Sequence, residues 1–115
     1  MFDFQKLAVY HKAKDFHAHA DEIIKENKFH RVANDQLTRA SFSIVLNIAE
    51  GAGRFTKPDR RKFYVMARSS VYECIAIYDV LNDRKLIEKN AFLQQMELAD
   101  ELSRILFAMI KNLES

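Results

Sequence analysis

Cysteine occurs once in these 115 residues. An internal disulfide is therefore excluded, and the composition suits a reducing compartment. Two glycines and one proline are poor punctuation for strands and hairpins and favour long helices. No run of about 18 apolar residues occurs, so no membrane-spanning helix is expected. The opening stretch MFDFQKLAVYHKAKDF carries charges throughout, unlike a secretory signal with its apolar centre. With 49% apolar residues the chain can build one core, and the expectation is a single cytoplasmic domain over residues 1–115.

Catalytic signatures are also missing. A carboxylate-bridged di-metal bundle needs Glu-x-x-His on two helices, and that motif is absent. His11, His17, His19 and His30 all fall in or just after the first helical segment; His17 with Asp21 and Asp15 with His19 share faces at i, i+4, without a third ligand. They read as surface histidines. Cys74 lies on an apolar stripe and reads as a small core residue. Ser41, Ser43, Ser69 and Ser70 have no histidine nearby in sequence. No arginine is followed four to six residues later by histidine, the pair used by some helical RNases. No enzymatic activity, metal or cofactor is expected.

What is present is a 3–4 spacing of apolar positions. The first helix is expected from Asp3, as N-cap, to Asn27, with the stripe Val9, Ala13, Phe16, Ala20 and Ile23. The second begins near Asn34 or Asp35 and carries Leu37, Ala40, Ile44, Ile48 and Gly51. Thr56-Lys57-Pro58-Asp59 announces the third, with Thr56 as N-cap and proline in the first turn; its stripe is Phe63, Ala67, Ser70, Cys74, Ile77 and Leu81. After the turn NDRKLIEKN, the fourth runs from about Asn90 to Leu113, lined by Phe92, Met96, Ala99, Leu102, Leu106, Met109 and Leu113. Four such helices with short connections predict an all-α, up-down-up-down antiparallel four-helix bundle.

Both glycines lie in NIAEGAGRF, residues 47–55. A phosphate loop would place them between a strand and a helix N-terminus. Here they close a helix, whose C-terminal end carries the wrong polarity for an anion. Gly53 is expected as a left-handed residue ending the second helix. Gly51 is expected to admit another helix at close range, offsetting a propensity loss of about 1 kcal/mol relative to alanine. Beside the apolar stripe runs a polar ribbon of Arg39, Ser43, Asn47, Glu50 and Arg54. Glu50 sits near the negative end of the helix dipole and is expected to pair with an arginine, or with a polar group of the third helix such as Ser70, inside the bundle or at a subunit contact.

The net charge is only +2, but it is unevenly placed. Residues 54–68 hold six basic side chains and one acid, Asp59, whereas the other 100 residues hold 12 basic and 15 acidic groups. In RFTKPDRRKFY the cations Arg54, Lys57, Arg60, Arg61 and Lys62 interleave with Phe55, Phe63 and Tyr64. Cations can meet phosphates while exposed rings stack on unpaired bases, although Phe63 also belongs to the apolar stripe.

QLTRASFSIVLNIAEGAGR, a short turn, and then FYVMARSSVYECIAIYDVL together resemble the four-helix bundle proteins encoded within intervening sequences of 23S ribosomal RNA genes. The most specific element is Asn47-Ile48-Ala49-Glu50-Gly51, preceded by Arg39-Ala40 and followed by Arg54; the second block agrees at Ala67, Ser70 and Glu73. Family members usually carry glycine where this chain has Ser69. The resemblance spans nearly the whole chain. It implies an up-down bundle and assembly into ring-like homopentamers, and a distant likeness to the accessory protein of diversity-generating retroelements. It implies no catalytic residues. Arg39, Asn47, Glu50, Gly51, Arg54, Ser70 and Glu73 would form a structural and assembly signature. The leading expectation is a non-enzymatic homo-oligomer holding RNA or other nucleic acid through Arg54, Lys57, Arg60, Arg61 and Lys62. The alternative is a scaffold for a protein partner such as a reverse-transcriptase-like enzyme.

Overall fold

A computed structural model describes residues 1–26 and 30–114. Among them the regular structure is helical: a 3-10 turn over Asp3–Lys6, then α1 (Ala8–Glu26), α2 (Arg31–Ala52), α3 (Lys57–Asp83) and α4 (Lys89–Asn112). Each helix packs on the next, and α1 also closes against α4. The helices therefore stand in a square, with α1 diagonal to α3 and α2 diagonal to α4. The result is an up-and-down bundle of about 44 × 27 × 22 Å.

The stripes explain this arrangement. Val9, Ala13, Phe16, Ala20 and Ile23 of α1, and Leu37, Ala40, Ile44, Ile48 and Gly51 of α2, are all buried as the periodicity predicts. In α3 the seam turns by one residue. Tyr64, Val71 and Tyr78 are buried alongside Ala67, Cys74 and Leu81, while Phe63, Ser70 and Ile77 are only half-buried. In α4 Gln95 and Ser103 are buried with Phe92, Ala99, Leu102, Leu106 and Ile110, and Met96, Met109 and Leu113 lie at the margin. A hydrogen bond accounts for the buried amide: Gln95 Nε2 donates to the Tyr78 hydroxyl at 2.8 Å and to the Phe16 carbonyl at 3.1 Å. One side chain of α4 thus ties both α1 and α3.

The helix ends differ from expectation in three places. The first helix does not run unbroken from Asp3, because Leu7 adopts an extended conformation between the 3-10 turn and α1. Phe2, not Asp3, precedes the turn, and its amide donates to Gln5 Oε1 at 2.7 Å; Asn27 lies outside the described residues. Helix α2 starts a turn earlier than expected, since the His30 ring accepts from the Ala33 amide at 3.2 Å. Gly53 is not left-handed: with φ −87° and ψ −5° it is a right-handed cap on α2. The left-handed residue is Lys85, φ 56°, in a Schellman ending of α3 where Leu86 N donates to Leu81 O at 2.8 Å and Lys85 N to Asn82 O at 3.0 Å.

Candidate nucleic-acid interface

The α2–α3 connection is short because both of its ends are capped. Gly53 N donates to Glu50 O, and three residues later Thr56 Oγ1 accepts from Asp59 N at 3.3 Å, with Pro58 in the first turn of α3. Gly51 makes the approach of the two helices close. A Cβ added there would lie 2.7 Å from Tyr64 Cε1 and 3.1 Å from Phe63 Cβ. The glycine is thus filled from outside by α3, as the packing reading expects.

Within this corner the five predicted cations divide. Arg54 folds back so that its guanidinium lies 4.4 Å from the Phe63 ring centroid, a cation–π contact. Arg60 Nε donates to the Arg54 carbonyl at 2.6 Å. Arg61 reaches α4's end, with Nη2 3.4 Å from Glu114 Oε1. Lys57 and Lys62 are exposed and take part in no ion pair among the described residues. Their placement is electrostatically unusual. Lys57 and Arg60 lie in the first turn of α3, beside the positive end of its dipole, where anions rather than cations are stabilised. Side chains and backbone there both favour an incoming anion. Of the three interleaved aromatics, Phe55 is fully exposed, whereas Tyr64 is buried. Burial raises the Tyr64 hydroxyl pKa, and the Arg60 charge partly counters this. Phe55 is the ring free to stack.

The resembling signature also divides. Asn47 Nδ2 donates to Ser43 Oγ at 3.0 Å, and Ser70 Oγ to the same oxygen at 3.0 Å, so these three stitch α2 to α3. Within the bundle Glu50 does not find the expected partner: Ser70 donates its hydroxyl to Ser43, and Glu50 is exposed and in no ion pair among the described residues, which leaves the subunit contact as the other alternative. Arg39 and Glu73 are likewise exposed. The histidines are not simple surface groups: His17 Nδ1 bonds Ser41 Oγ at 2.8 Å, with Nε2 3.8 Å from Asp21, and His11 Nε2 bonds Gln5 O at 2.6 Å. Burial pushes the Cys74 thiol up to about 12, with Glu73 adding to the shift, which leaves it protonated and unreactive at neutral pH.

One feature escaped the sequence reading. Between α3 and α4 lies a groove of about 440 Å³ lined by Arg61, Val65, Arg68, Tyr72, Phe107 and Lys111, among others. The Arg68 guanidinium lies 4.9 Å and 5.4 Å from the Tyr72 and Phe107 ring centroids, and its Nε donates to Ser103 O at 3.2 Å. Exposed large apolar residues off the main stripe were the signal available. No spacing rule joins Tyr72 to Phe107 across two helices.

A family model described as 23S rRNA-intervening sequence protein matches residues 5–108. No curated protein matches the chain. The chain is similar in fold to a protein of unknown function from the S23 ribosomal protein family of Bacteroides thetaiotaomicron, known from a crystal structure. The TM-score is 0.85 at 19% identity, over 90% of this chain and 99% of that one.

Proposed function

Because the chain belongs to the 23S rRNA-intervening sequence protein family, we propose that it is a non-enzymatic helical module of the cytoplasm that assembles with copies of itself and holds nucleic acid, RNA foremost, on the α2–α3 connection. The observation that carries this reading is a pair of exposed lysines, Lys57 and Lys62, with no ion pair among the described residues, at the N-terminal end of α3 with the bare Phe55 ring close by in sequence. Phosphates would meet Lys57, Lys62 and the outer edges of Arg54, Arg60 and Arg61, and an unpaired base would stack on Phe55. Assembly, in a ring of five as the resemblance implies, repeats that surface and multiplies weak contacts.

Fluorescence anisotropy of a labelled single-stranded RNA across a salt series tests the binding. Lys57→Glu/Lys62→Glu leaves every capping and stacking contact in place. It should weaken binding about tenfold or more and lower the slope of log K against log salt by about 1.4, at about 0.7 per phosphate on a single strand. Equal affinity and slope in the variant would remove the reading. A protein partner in place of RNA would show as co-purification that survives nuclease and high salt. The half-exposed Phe42, Tyr72 and Phe107 favour some protein contact, and its identity is the next question.

A further inference from the structure

Residues 1–7 could have lengthened α1, yet Asp3–Lys6 form a separate 3-10 turn that packs on α2. Gln5 pins this turn at both ends. Its side chain accepts from Phe2 N at 2.7 Å, and its carbonyl bonds His11 Nε2 at 2.6 Å. Phe4 anchors it further, edge-on to Tyr10 with centroids 4.9 Å apart. Beyond Phe4 the Phe2 ring lies nearly parallel to it, at 12° between planes and 6.1 Å between centroids, and stays 74% exposed. A ring left so open contributes little by burial, and it is a face on which another flat ring can stack.

Between the turn and α2 lies a slot of about 230 Å³, lined by Phe2, Asp3, Phe4, Ala49, Ala52 and Gly53. That is below the roughly 300–1,000 Å³ of a pocket for a whole small molecule, and it suits a single planar group. The slot is one-sided in its hydrogen bonding. Asp3 brings a carboxylate, which when ionised only accepts. The opposite wall is the C-terminal turn of α2, the carbonyl end of a helix and the negative end of its dipole. Both walls repel a phosphate, and both invite donors.

We propose that this slot holds an unpaired guanine of the bound RNA. Guanine is the base whose pairing edge carries two adjacent donors, N1–H and the N2 amino group. A carboxylate accepts such a fork as it accepts the guanidinium of arginine. Adenine and cytosine set one amino donor beside a bare acceptor nitrogen, and uracil sets one N–H between two carbonyls, so each turns a lone pair toward Asp3. Unpaired RNA bases are read on these edges while their rings stack on an aromatic, and Phe2 provides that face. The cations are within reach. Gly53 is four residues from Lys57, no more than about 14 Å along the chain, so a base can enter the slot while neighbouring phosphates meet Lys57 and Lys62. This rests on the nucleic-acid reading above and adds a base preference to it.

The test is fluorescence anisotropy with labelled single-stranded uridine octamers whose fourth position is uridine, adenosine or guanosine. The guanosine octamer should bind at least about fivefold tighter than the other two. Inosine at that position, which lacks the N2 amino group, should lose most of the gain. Asp3→Asn keeps the side chain's shape and turns one acceptor into a donor; the residue is exposed, and circular dichroism checks that the variant keeps its helices. It should abolish the guanosine preference, while the uridine octamer binds as well as before or better, since an anion has left a phosphate-binding surface. If no octamer binds the wild type, this inference falls together with the nucleic-acid reading. If the three octamers bind the wild type alike, if Asp3→Asn keeps the preference, or if it also loses the uridine octamer, the inference falls alone.

Discussion

Gly51 and Gly53 stand two residues apart and answer to different forces. Gly51 is buried where the Tyr64 ring and Phe63 Cβ crowd the space a Cβ would need, so Gly51→Ala should push α3 and the Tyr64 ring outward and destabilise the protein by about 1–3 kcal/mol. Gly53 has ordinary right-handed dihedrals, and an added Cβ would meet only the Glu50 and Ala49 carbonyls at 3.6 and 3.8 Å. Gly53→Ala should therefore be neutral or stabilising by about 0.4–1 kcal/mol, through the reduced freedom of the unfolded chain. Urea denaturation of both variants checks the contrast. The sequence placed Gly51 correctly because it falls on a 3–4 stripe, but a C-terminal glycine looks the same whether it is left-handed or merely permissive. For Glu50 the dipole told of a missing cation. It could not tell that no group among the described residues supplies one.

At the scale of elements, apolar period decided α1 and α2 because a single register buries all their large side chains. In α3 two registers are nearly equivalent: Phe63, Ser70 and Ile77 flank Ala67, Cys74 and Leu81 on one side, and Tyr64, Val71 and Tyr78 on the other. Hydropathy favours the first through phenylalanine and isoleucine. The second wins because Tyr78 finds a buried partner in Gln95 and Tyr64 fits over Gly51. Neither contact is visible without the neighbouring helix. Burial also holds the Tyr78 hydroxyl protonated well above its ordinary pKa, although the Gln95 hydrogen bond works the other way. Gln95 Oε1 has no partner among the described residues, so the amide acts in the core as a donor, to Tyr78 of α3 and to the Phe16 carbonyl of α1. Tyr78→Phe and Gln95→Leu should each cost about 1–3 kcal/mol by stranding the other group. The double variant should cost less than the sum, with a coupling of about 0.5–1.5 kcal/mol in a denaturation cycle. Strict additivity would mean that the bond does not bind the helices together.

For the molecule as a whole, helix number, order and the basic corner were legible from sequence, because they depend on local period, capping and a charge run. The groove was not, since Tyr72 and Phe107 become neighbours only when α3 and α4 pack. Nor was the division of labour among the cations, where Arg54 and Arg60 hold the connection together and Lys57 and Lys62 are left over. Such a split depends on distances of a few ångströms between side chains that look interchangeable in a list of letters.

The bare Phe55 ring has one more consequence. It lies in a short run of exposed residues linking an α1–α2 hairpin to an α3–α4 hairpin. Brief digestion with chymotrypsin should cut after Phe55, since a fully exposed aromatic in a connection between helices is what that protease needs. Yet α2 and α3 share the most extensive pairing in the bundle. The two pieces should therefore separate on a denaturing gel while eluting together, still helical, from a sizing column: a protein severed in its covalent chain but whole in its physics.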